Sequence, residues 1–389
     1  MANQDNHVEI GAGPIAGAFI RGVLIKTLLL FLLVNLVFLL GMPVAWLGRL
    51  SAYNVLFPGR LRLPFGEHPE RAYNLSLLQL DAMFGSHELA GTPKPDDEYR
   101  VFLLGDSNTW GFLLHNDETL AAALNDMALT APDGRQVRFY NLGYPTISLT
   151  KDLLVLDQAQ RFEPDMLIWL VTLEAFPREK QLFTPLVQNN PDPVRRLIDT
   201  YQLQADPADP AFENQNTWDR TIFGQRRTLA DLIRYQIYGV LWAATGIDQD
   251  IPETYTPLQS DLSDEEAFYG MLPPTLNPDD LALDVLHGGF EMMGDRPVLL
   301  VNEPMYISRG ANSDMRYNFY YPRWIYDQYR QLMLDESQAN GWNYLDLWDM
   351  ISPARFTNSA IHLDATGTSE LAQLLQVSIL QVLENEAGN

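Results

Sequence analysis

One serine in the sequence lies where a nucleophile would be expected. Ser107 belongs to Gly-Asp-Ser-Asn-Thr, at the end of the apolar run VFLLGD at 101–106. A serine at a strand-to-helix turn has its N–H near the positive end of the helix, where an oxyanion would be stabilised. A Gly-Asp-Ser turn is also a common way to begin a helix with serine as the N-cap. The turn alone therefore leaves both interpretations open.

A serine hydroxyl needs a base before it can attack a carbonyl group. The chain has six histidines, and only His362 lies between the last predicted strand and the closing helix, in FTNSAIHLDATGTSELA. In a parallel sheet this loop leaves the same carboxyl edge as Ser107. We therefore expect His362 to face Ser107 and to act as its base.

The surrounding pattern alternates between buried strands and helices. Strand-like runs occupy 101–106, 137–143, 166–172, 297–304 and 342–348. Helical stretches follow near 118–129, 149–160, 324–340 and 369–384. This alternation predicts an α/β fold, a three-layer sandwich with a mainly parallel five-stranded sheet.

A long interruption from about 177 to 295 is too long for an ordinary loop and too aromatic for a disordered one, so it predicts a helical cap inserted into the domain. Within the cap, 226–247 reads as a strongly apolar helix. Core packing and contact with a membrane or a partner both remain open for this helix.

The N-terminal region predicts a membrane anchor. No charged residue occurs from Thr27 to Gly48, and about 20 apolar residues suffice to cross a bilayer. The absence of a small-residue cleavage site favours a retained transmembrane helix over a signal peptide. We expect three parts: 1–48 as tail and anchor, 49–98 as a proline-rich connector, and 99–389 as the folded domain. The flanking charges do not settle orientation, but an N-inside anchor with the domain outside the cytoplasm is favoured.

Composition excludes several classes of function. The formal net charge of -24 argues against nucleic acid as a partner. The absence of cysteine removes disulfides, thiolate metal sites and cysteine nucleophiles. There is no phosphate-binding loop, no zinc-spaced histidine pair and no dinucleotide fingerprint. We therefore expect neither a cofactor nor a metal.

From about residue 97 to 380 the chain resembles the SGNH, or GDSL, hydrolase family. Gly105, Asp106 and Ser107 match the nucleophile block of that family, Gly143 in YNLGYP matches its second block, and His362 matches its last. The resemblance implies an SGNH hydrolase-like fold in which Ser107 attacks an ester. It also implies that the N–H groups of Ser107 and Gly143 stabilise the oxyanion and that His362 transfers the proton.

Two positions depart from the family pattern. Glu174, in LVTLEAF, stands near the place of an asparagine that donates to the oxyanion, and an ionised carboxylate can only accept. Glu174 must therefore turn away or have a different role. Asn358 stands where an acid usually orients the histidine; it can hold the ring but supplies no charge, a change that costs on the order of 10⁴ in rate in a serine protease. Asp346, Asp349 and Asp364 are alternative orienting acids.

Polar residues also follow the fourth strand at the same edge, and Asn302 and Glu303 could bind a hydroxylated substrate such as a sugar. A structural loop that satisfies its own polar groups is the alternative. The predicted catalytic residues are Ser107, His362 and Asn358. The predicted oxyanion- and substrate-binding residues are Gly143, Asp106, Asn108, Glu174, Asn302 and Glu303.

Several membrane-anchored members of the SGNH family assist O-acylation of cell-surface glycans, and the layout of this chain resembles theirs. The resemblance implies a serine ester hydrolase or O-acyltransferase acting on acyl groups of such a glycan. The expected partners are an acyl ester or glycan substrate, membrane lipid and a multi-pass membrane O-acyltransferase. Two alternatives remain: a non-catalytic SGNH-fold binding or assembly subunit, and a lipid esterase suggested by the apolar cap.

Overall fold

The computed structural model describes residues 14–41, 59–65, 80–91, 93–212, 216–245, 251–252 and 254–387. Its strands form one five-stranded sheet in the order β2-β1-β3-β4-β5, and every neighbouring pair is parallel. The strands are β1 Glu98–Leu104, β2 Gln136–Asn141, β3 Met166–Val171, β4 Val298–Asn302 and β5 Asn343–Asp346. The predicted α/β class and the five predicted strands are confirmed.

The described residues form twelve α-helices, several of which cover the two faces of this sheet. They are α1 Pro14–Gly41, α2 Leu80–Ser86, α3 Glu88–Gly91, α4 Ser107–Trp110, α5 Leu120–Asp126, α6 Leu149–Ala159, α7 Pro185–Gln188, α8 Pro191–Tyr201, α9 Arg226–Thr245, α10 Leu283–Met293, α11 Arg323–Asn340 and α12 Ala365–Ala387.

Alternating side chains of each strand enter two separate cores. In β1, Phe102 and Leu104 pack with α6, α10 and α11 on one face. Val101 and Leu103 pack with α5 and α12 on the other. Because both faces are covered, all seven positions of β1 are buried. Its second half, 101–104, is a continuous apolar run, and in its first half the buried Glu98 and Arg100 pair with each other. The result is the predicted three-layer sandwich.

One helix of the predicted insertion belongs to the sandwich itself. Between β3 and β4 the chain must cross over, and α10 covers the sheet on that path. Leu286 on α10 is fully buried, and a Cβ atom at Gly289 would lie 2.2 Å from the ring of Trp169 on β3. The segment 177–295 therefore contains a core helix as well as the additional helices α7, α8 and α9.

The N-terminal helix begins earlier than the sequence pattern predicts. Helix α1 begins at Pro14 and ends at Gly41, and its stretch Gly17–Gly41 is long and apolar enough to cross a membrane by length and composition. The predicted beginning at Thr27 is wrong, because Arg21 and Lys26 continue the helix without interrupting its hydrogen bonding. The predicted end of the span, 42–48, lies outside the described residues.

Residues 59–65 of the predicted connector pack beside the nucleophile turn. Arg62 donates a hydrogen bond to the carbonyl oxygen of Gly111 at 2.8 Å, and the indole N–H of Trp110 donates to the carbonyl oxygen of Leu63 at 2.7 Å. The connector thereby supports the end of α4. Most of the helix predicted near 72–83 lies outside the described residues, and α2 begins at Leu80.

Candidate active site

Ser107 is the first residue of α4, directly after the Gly105-Asp106 turn that follows β1. The N-cap of this helix is Asp106, whose Oδ1 accepts a hydrogen bond from the backbone N–H of Asn108 at 2.8 Å. At Gly105 a Cβ atom would lie 2.3 Å from Thr109 Oγ1, so a larger residue would force the turn apart. Because Asp106 caps the helix, the hydroxyl of Ser107 is available to another partner.

That partner is His362. Ser107 Oγ lies 2.7 Å from His362 Nε2, and His362 Nδ1 lies 2.8 Å from Asn358 Oδ1. An amide oxygen only accepts, so Nδ1 carries the ring proton and Nε2 is left as the acceptor for the serine hydroxyl. The structure thus brings together the three residues predicted to be catalytic, with the histidine in the tautomer that a general base requires.

The loop between β5 and α12 sets this geometry. The backbone N–H of Thr357 donates to the carbonyl oxygen of His362 at 2.9 Å, which closes a turn around Asn358. Phe356 and Leu363 form a β-bridge on the outer side of the same turn. Asn358 is thereby held against the Nδ1 edge of the ring four residues later. Phe112 stacks on the imidazole with ring centroids 4.8 Å apart.

The alternative orienting acids are occupied elsewhere or exposed. Asp346 accepts from Asn302 at 2.8 Å and pairs with Arg330 at 2.7 Å. Asp364 caps α12 through the N–H of Gly367 at 2.6 Å. Asp349 is exposed. The only residue shown hydrogen-bonded to His362 Nδ1 among the described residues is therefore the uncharged Asn358.

Burial controls the charge of His362. The side chain is 9% exposed, and burial lowers the pKa of His362 to about 4. With no carboxylate beside it, nothing offsets this effect. The ring is therefore neutral at neutral pH, as a base must be, but the imidazolium formed when it takes a proton has no counter-charge.

The expected oxyanion donor Gly143 packs directly against the nucleophile helix. A Cβ atom at this position would lie 2.3 Å from the backbone nitrogen of Trp110, so a glycine is required for the approach. Its N–H donates to Asn141 Oδ1 at 3.0 Å. An oxyanion would have to share this donor with Asn141 or displace the Asn141 side chain. This competition was not predicted from the sequence, because it depends on where the Asn141 side chain points.

Glu174 lies in a short 3-10 helix just after β3. Its carboxylate pairs with Lys180 Nζ at 2.6 Å and accepts a hydrogen bond from the hydroxyl of Tyr269. The ammonium of Lys180 offsets the negative charge expected to repel an oxyanion. The sequence left open whether Glu174 turns away from the oxyanion or has a different role. These contacts favour a different role, a polar contact with the segment that contains Tyr269.

The polar residues after β4 have internal partners. The amide of Asn302 donates to Asp346 at 2.8 Å and to Tyr326 at 3.2 Å. Glu303 accepts from the side-chain amide of Asn108 at 2.9 Å. Both Asn302 and Glu303 are almost completely buried. Their contacts fit the alternative of a self-satisfied structural loop better than direct contact with a sugar.

Two further side chains around the site were missed by sequence reasoning. Lys151 on α6 is 1% exposed and donates to the carbonyl oxygens of Gly105 at 2.7 Å and Tyr144 at 3.0 Å, which ties the two glycine loops together. Tyr320 is hydrogen-bonded to Ser359 in the histidine loop, and burial raises the pKa of Tyr320. Lysine and tyrosine in amphipathic stretches carry no sequence signal for such positions.

Two cavities in the described part of the chain are lined by polar and aromatic residues. One of about 500 Å³ is lined by Tyr269, Arg178 and Asp279 among others, and so adjoins the Tyr269–Glu174 contact. A second of about 380 Å³ includes Tyr306 and Ser352 in its wall. Within the described ranges, no group of three or more His, Asp or Glu side chains is arranged to hold a metal ion.

Comparison with known proteins gives likeness to solved structures only. No protein-family model matches the chain, and no curated protein matches it. Similar solved structures include a carbohydrate acetylesterase family member from Sinorhizobium meliloti, at 12% identity over 73% of this chain and 99% of that one, with a TM-score of 0.32.

They also include the aryl esterase of M. smegmatis, at 11% identity over 73% of this chain and 99% of that one, with a TM-score of 0.33. A third is an alpha/beta hydrolase enzyme from the metagenome of Lake Arreo, Spain, at 15% identity over 72% of this chain and 94% of that one, with a TM-score of 0.32. Likeness of this degree does not by itself identify an activity for the chain.

Proposed function

We propose that the chain is an SGNH-type serine ester hydrolase or O-acyltransferase, with Ser107 as nucleophile, His362 as base and Asn358 as the residue that orients the base. The observation that carries the proposal is the continuous hydrogen-bonded series from Ser107 Oγ to His362 Nε2 at 2.7 Å and from His362 Nδ1 to Asn358 at 2.8 Å. A buried serine, a neutral histidine and a fixed acceptor are what acyl transfer needs.

The geometry supports a two-step reaction. Ser107 Oγ bonds to the acyl carbon of the ester while its proton passes to His362 Nε2. The imidazolium then gives that proton to the leaving alcohol oxygen as the C–O bond breaks, which leaves an acyl group on Ser107. Water or a glycan hydroxyl attacks this acyl-enzyme, with His362 again taking the proton, and the released product is an acid or a new ester.

Oxyanion stabilisation falls to the N–H groups of Ser107 and Gly143. Gly143 can serve when its bond to Asn141 is released, so we expect the pocket to be completed only when the acyl carbonyl is bound. The uncharged Asn358 leaves the imidazolium without a counter-charge. Together these features predict slow turnover compared with an enzyme that has an aspartate at this position.

We further propose a glycan acyl ester as the substrate and a membrane as the location. Support for the membrane comes from α1, whose stretch Gly17–Gly41 is long and apolar enough to cross a bilayer by length and composition. Exposed Ile233, Ile237 and Leu241 form a stripe along α9, consistent with an apolar surface near lipid. A multi-pass O-acyltransferase partner remains part of the proposal.

A non-catalytic binding or assembly subunit is the second candidate. It is favoured by the occupied N–H of Gly143, by Glu174 in place of a donor and by the uncharged Asn358. A lipid esterase is a third, favoured by the apolar stripe on α9. The binding or assembly subunit differs from the proposed function in one observable, the turnover of an ester substrate.

The test measures hydrolysis of p-nitrophenyl acetate by the full chain in detergent. Ser107→Ala should reduce kcat/KM by roughly three orders of magnitude or more. Ser337→Ala is the matched control, because Ser337 is a buried serine on α11, 4% exposed, far along the chain from the site. Wild-type hydrolysis no faster than that of Ser107→Ala would favour the binding subunit.

A further inference from the structure

Two buried carboxyl groups lie at the turn that precedes Ser107. Asp106, which precedes Ser107, is 6% exposed, and Glu303, which follows β4, is 1% exposed. Both hold Asn108: its backbone N–H donates to Asp106 at 2.8 Å and its side-chain amide to Glu303 Oε2 at 2.9 Å. The two carboxyl groups are also within hydrogen-bonding contact of each other.

If Asp106, Glu303 and Asp152 were all ionised, three buried negative charges would lie near the ammonium of Lys151, and one proton on Glu303 lowers this excess. Asp152 is a third buried carboxyl close by, and Lys151, which pairs with Asp152 at 2.5 Å, is the buried cation beside them. An unpaired carboxylate in such surroundings is unfavourable, so a proton is expected. Glu303 Oε1 is buried, and among the described residues no N–H or O–H group donates to it. A proton on Oε1 directed at Asp106 gives this oxygen a partner.

We propose that Asp106 and Glu303 share one proton, carried by Glu303, and that the pair is a positioning device for the nucleophile. The Glu303 hydroxyl donates to Asp106, the Asp106 carboxylate caps α4 through Asn108, and Glu303 accepts from the Asn108 side chain. This closed ring fixes the backbone next to Ser107 and hence the direction of its N–H and hydroxyl. Neither carboxyl touches the reacting atoms, and the inference rests on the proposed function.

The electrostatics agree with this assignment. Burial raises the pKa of Asp106 to about 6, and burial together with the charge of Asp106 raises the pKa of Glu303 well above its ordinary value. Lys151 and Asp152 face the pair from α6 with opposite effects. Burial raises the pKa of Tyr320, Tyr321 and Tyr326, and the negative charge of Glu303 adds to this rise, so these hydroxyls lie near the pair. Of the two groups, Glu303 is therefore the one that carries the proton.

The stability consequence has a definite sign. Because the pKa of Glu303 is raised in the folded chain, its contribution to stability is complete below its ordinary pKa and is lost as pH rises through the folded pKa. A side chain at position 303 that carries an N–H donor at every pH would not lose this contribution as pH rises. Glu303→Gln is that side chain, since its amide N–H₂ can donate to Asp106 while its oxygen accepts from Asn108.

The experiment compares Glu303→Gln with Glu303→Ala in the full chain, in both thermal unfolding and esterase activity. As pH rises above the ordinary pKa of a glutamate, the wild-type Tm should fall more steeply than that of Glu303→Gln. Glu303→Ala should lower kcat by roughly tenfold or more with little change in KM, because Asp106 and Asn108 lose a buried partner. Glu303→Gln should recover most of that loss and flatten the alkaline limb of the pH profile.

Glu88→Gln is the matched control, because burial also raises the pKa of Glu88, which lies on α3 and pairs with Arg138. It should alter the pH dependence of Tm without altering that of kcat. Equal Tm slopes for wild type and Glu303→Gln, or failure of Gln to recover the activity lost in Ala, would overturn the shared proton. An inert wild type with the expected Tm difference would instead support the shared proton and contradict the proposed esterase activity.

Discussion

Replacing Asn358 by aspartate should speed the proposed enzyme. Asn358 Oδ1 lies 2.8 Å from His362 Nδ1, and His362 is 9% exposed, so a carboxylate there would interact strongly with the imidazolium. An opposite charge at this distance raises a histidine pKa by about 1 to 3 pH units. Each unit corresponds to about 1.4 kcal/mol, so turnover should rise by roughly 10-fold to at most 10³-fold.

The pH dependence of kcat/KM provides the most specific test of Asn358→Asp. The acid limb of kcat/KM in the wild type should follow the pKa of His362 of about 4. In Asn358→Asp that limb should move to higher pH by the same amount that the imidazolium is stabilised. Asn358→Ala should lower turnover without adding charge, because the ring loses the acceptor that fixes its tautomer.

The assay is kcat/KM for p-nitrophenyl acetate for the wild type and both variants, from about pH 3 to 9, so that the wild-type acid limb near pH 4 is included. A higher rate for Asn358→Asp without any shift of the acid limb would contradict the charge argument. Unchanged rates and unchanged profiles in both variants would show that Asn358 does not orient the base during reaction, despite its place beside Nδ1.

Three further predictions concern other parts of the account. Gly143→Ala should destabilise the fold and strongly reduce activity, because its Cβ would lie 2.3 Å from a backbone nitrogen of α4; measured Tm and kcat should both fall. Burial lowers the pKa of His362 and of His87 to about 4. The free energy of unfolding should therefore be highest above about pH 6.5 and should fall as pH drops toward 4, by at most roughly 3 kcal/mol for each histidine. Unfolding curves measured across this pH range test this, and a free energy of unfolding that does not change with pH would contradict it. Protease added to intact cells should degrade the chain after Gly48, whereas digestion only after lysis would place the domain in the cytoplasm and contradict the surface-glycan proposal.

The sheet could be predicted because strands buried on both faces leave a simple pattern. β3 and the second half of β1, 101–104, are continuous apolar runs, and both strands lie within three residues of their predicted bounds. The same reasoning could not separate α10 from the insertion, since a helix that covers a sheet and a helix of a cap have similar patterns. The same reasoning placed the beginning of α1 too late, because a charged residue indicates where an apolar span ends and not where the helix ends.

The contact between Ser107 and His362 was predictable from topology alone, since loops at the carboxyl edge of a parallel sheet converge. The contacts of Asn141, Lys151 and Glu303 were not. Each depends on how two loops pack together, and single residues such as a buried lysine carry no periodic signal. For Glu174, the sequence identified an acidic residue at an unexpected place but not the ammonium of Lys180 that balances it.

The most direct test of the central claim is covalent labelling of the wild-type chain with a fluorophosphonate, followed by peptide mass spectrometry. We expect that phosphonate is attached to Ser107, that labelling slows below about pH 4 as His362 becomes protonated, and that Ser107→Ala is not labelled. We also expect His362→Gln to be labelled far more slowly than the wild type. Absence of label on Ser107 in a folded wild-type chain, or equal labelling of His362→Gln, would contradict the proposal that these two residues form a working nucleophile and base.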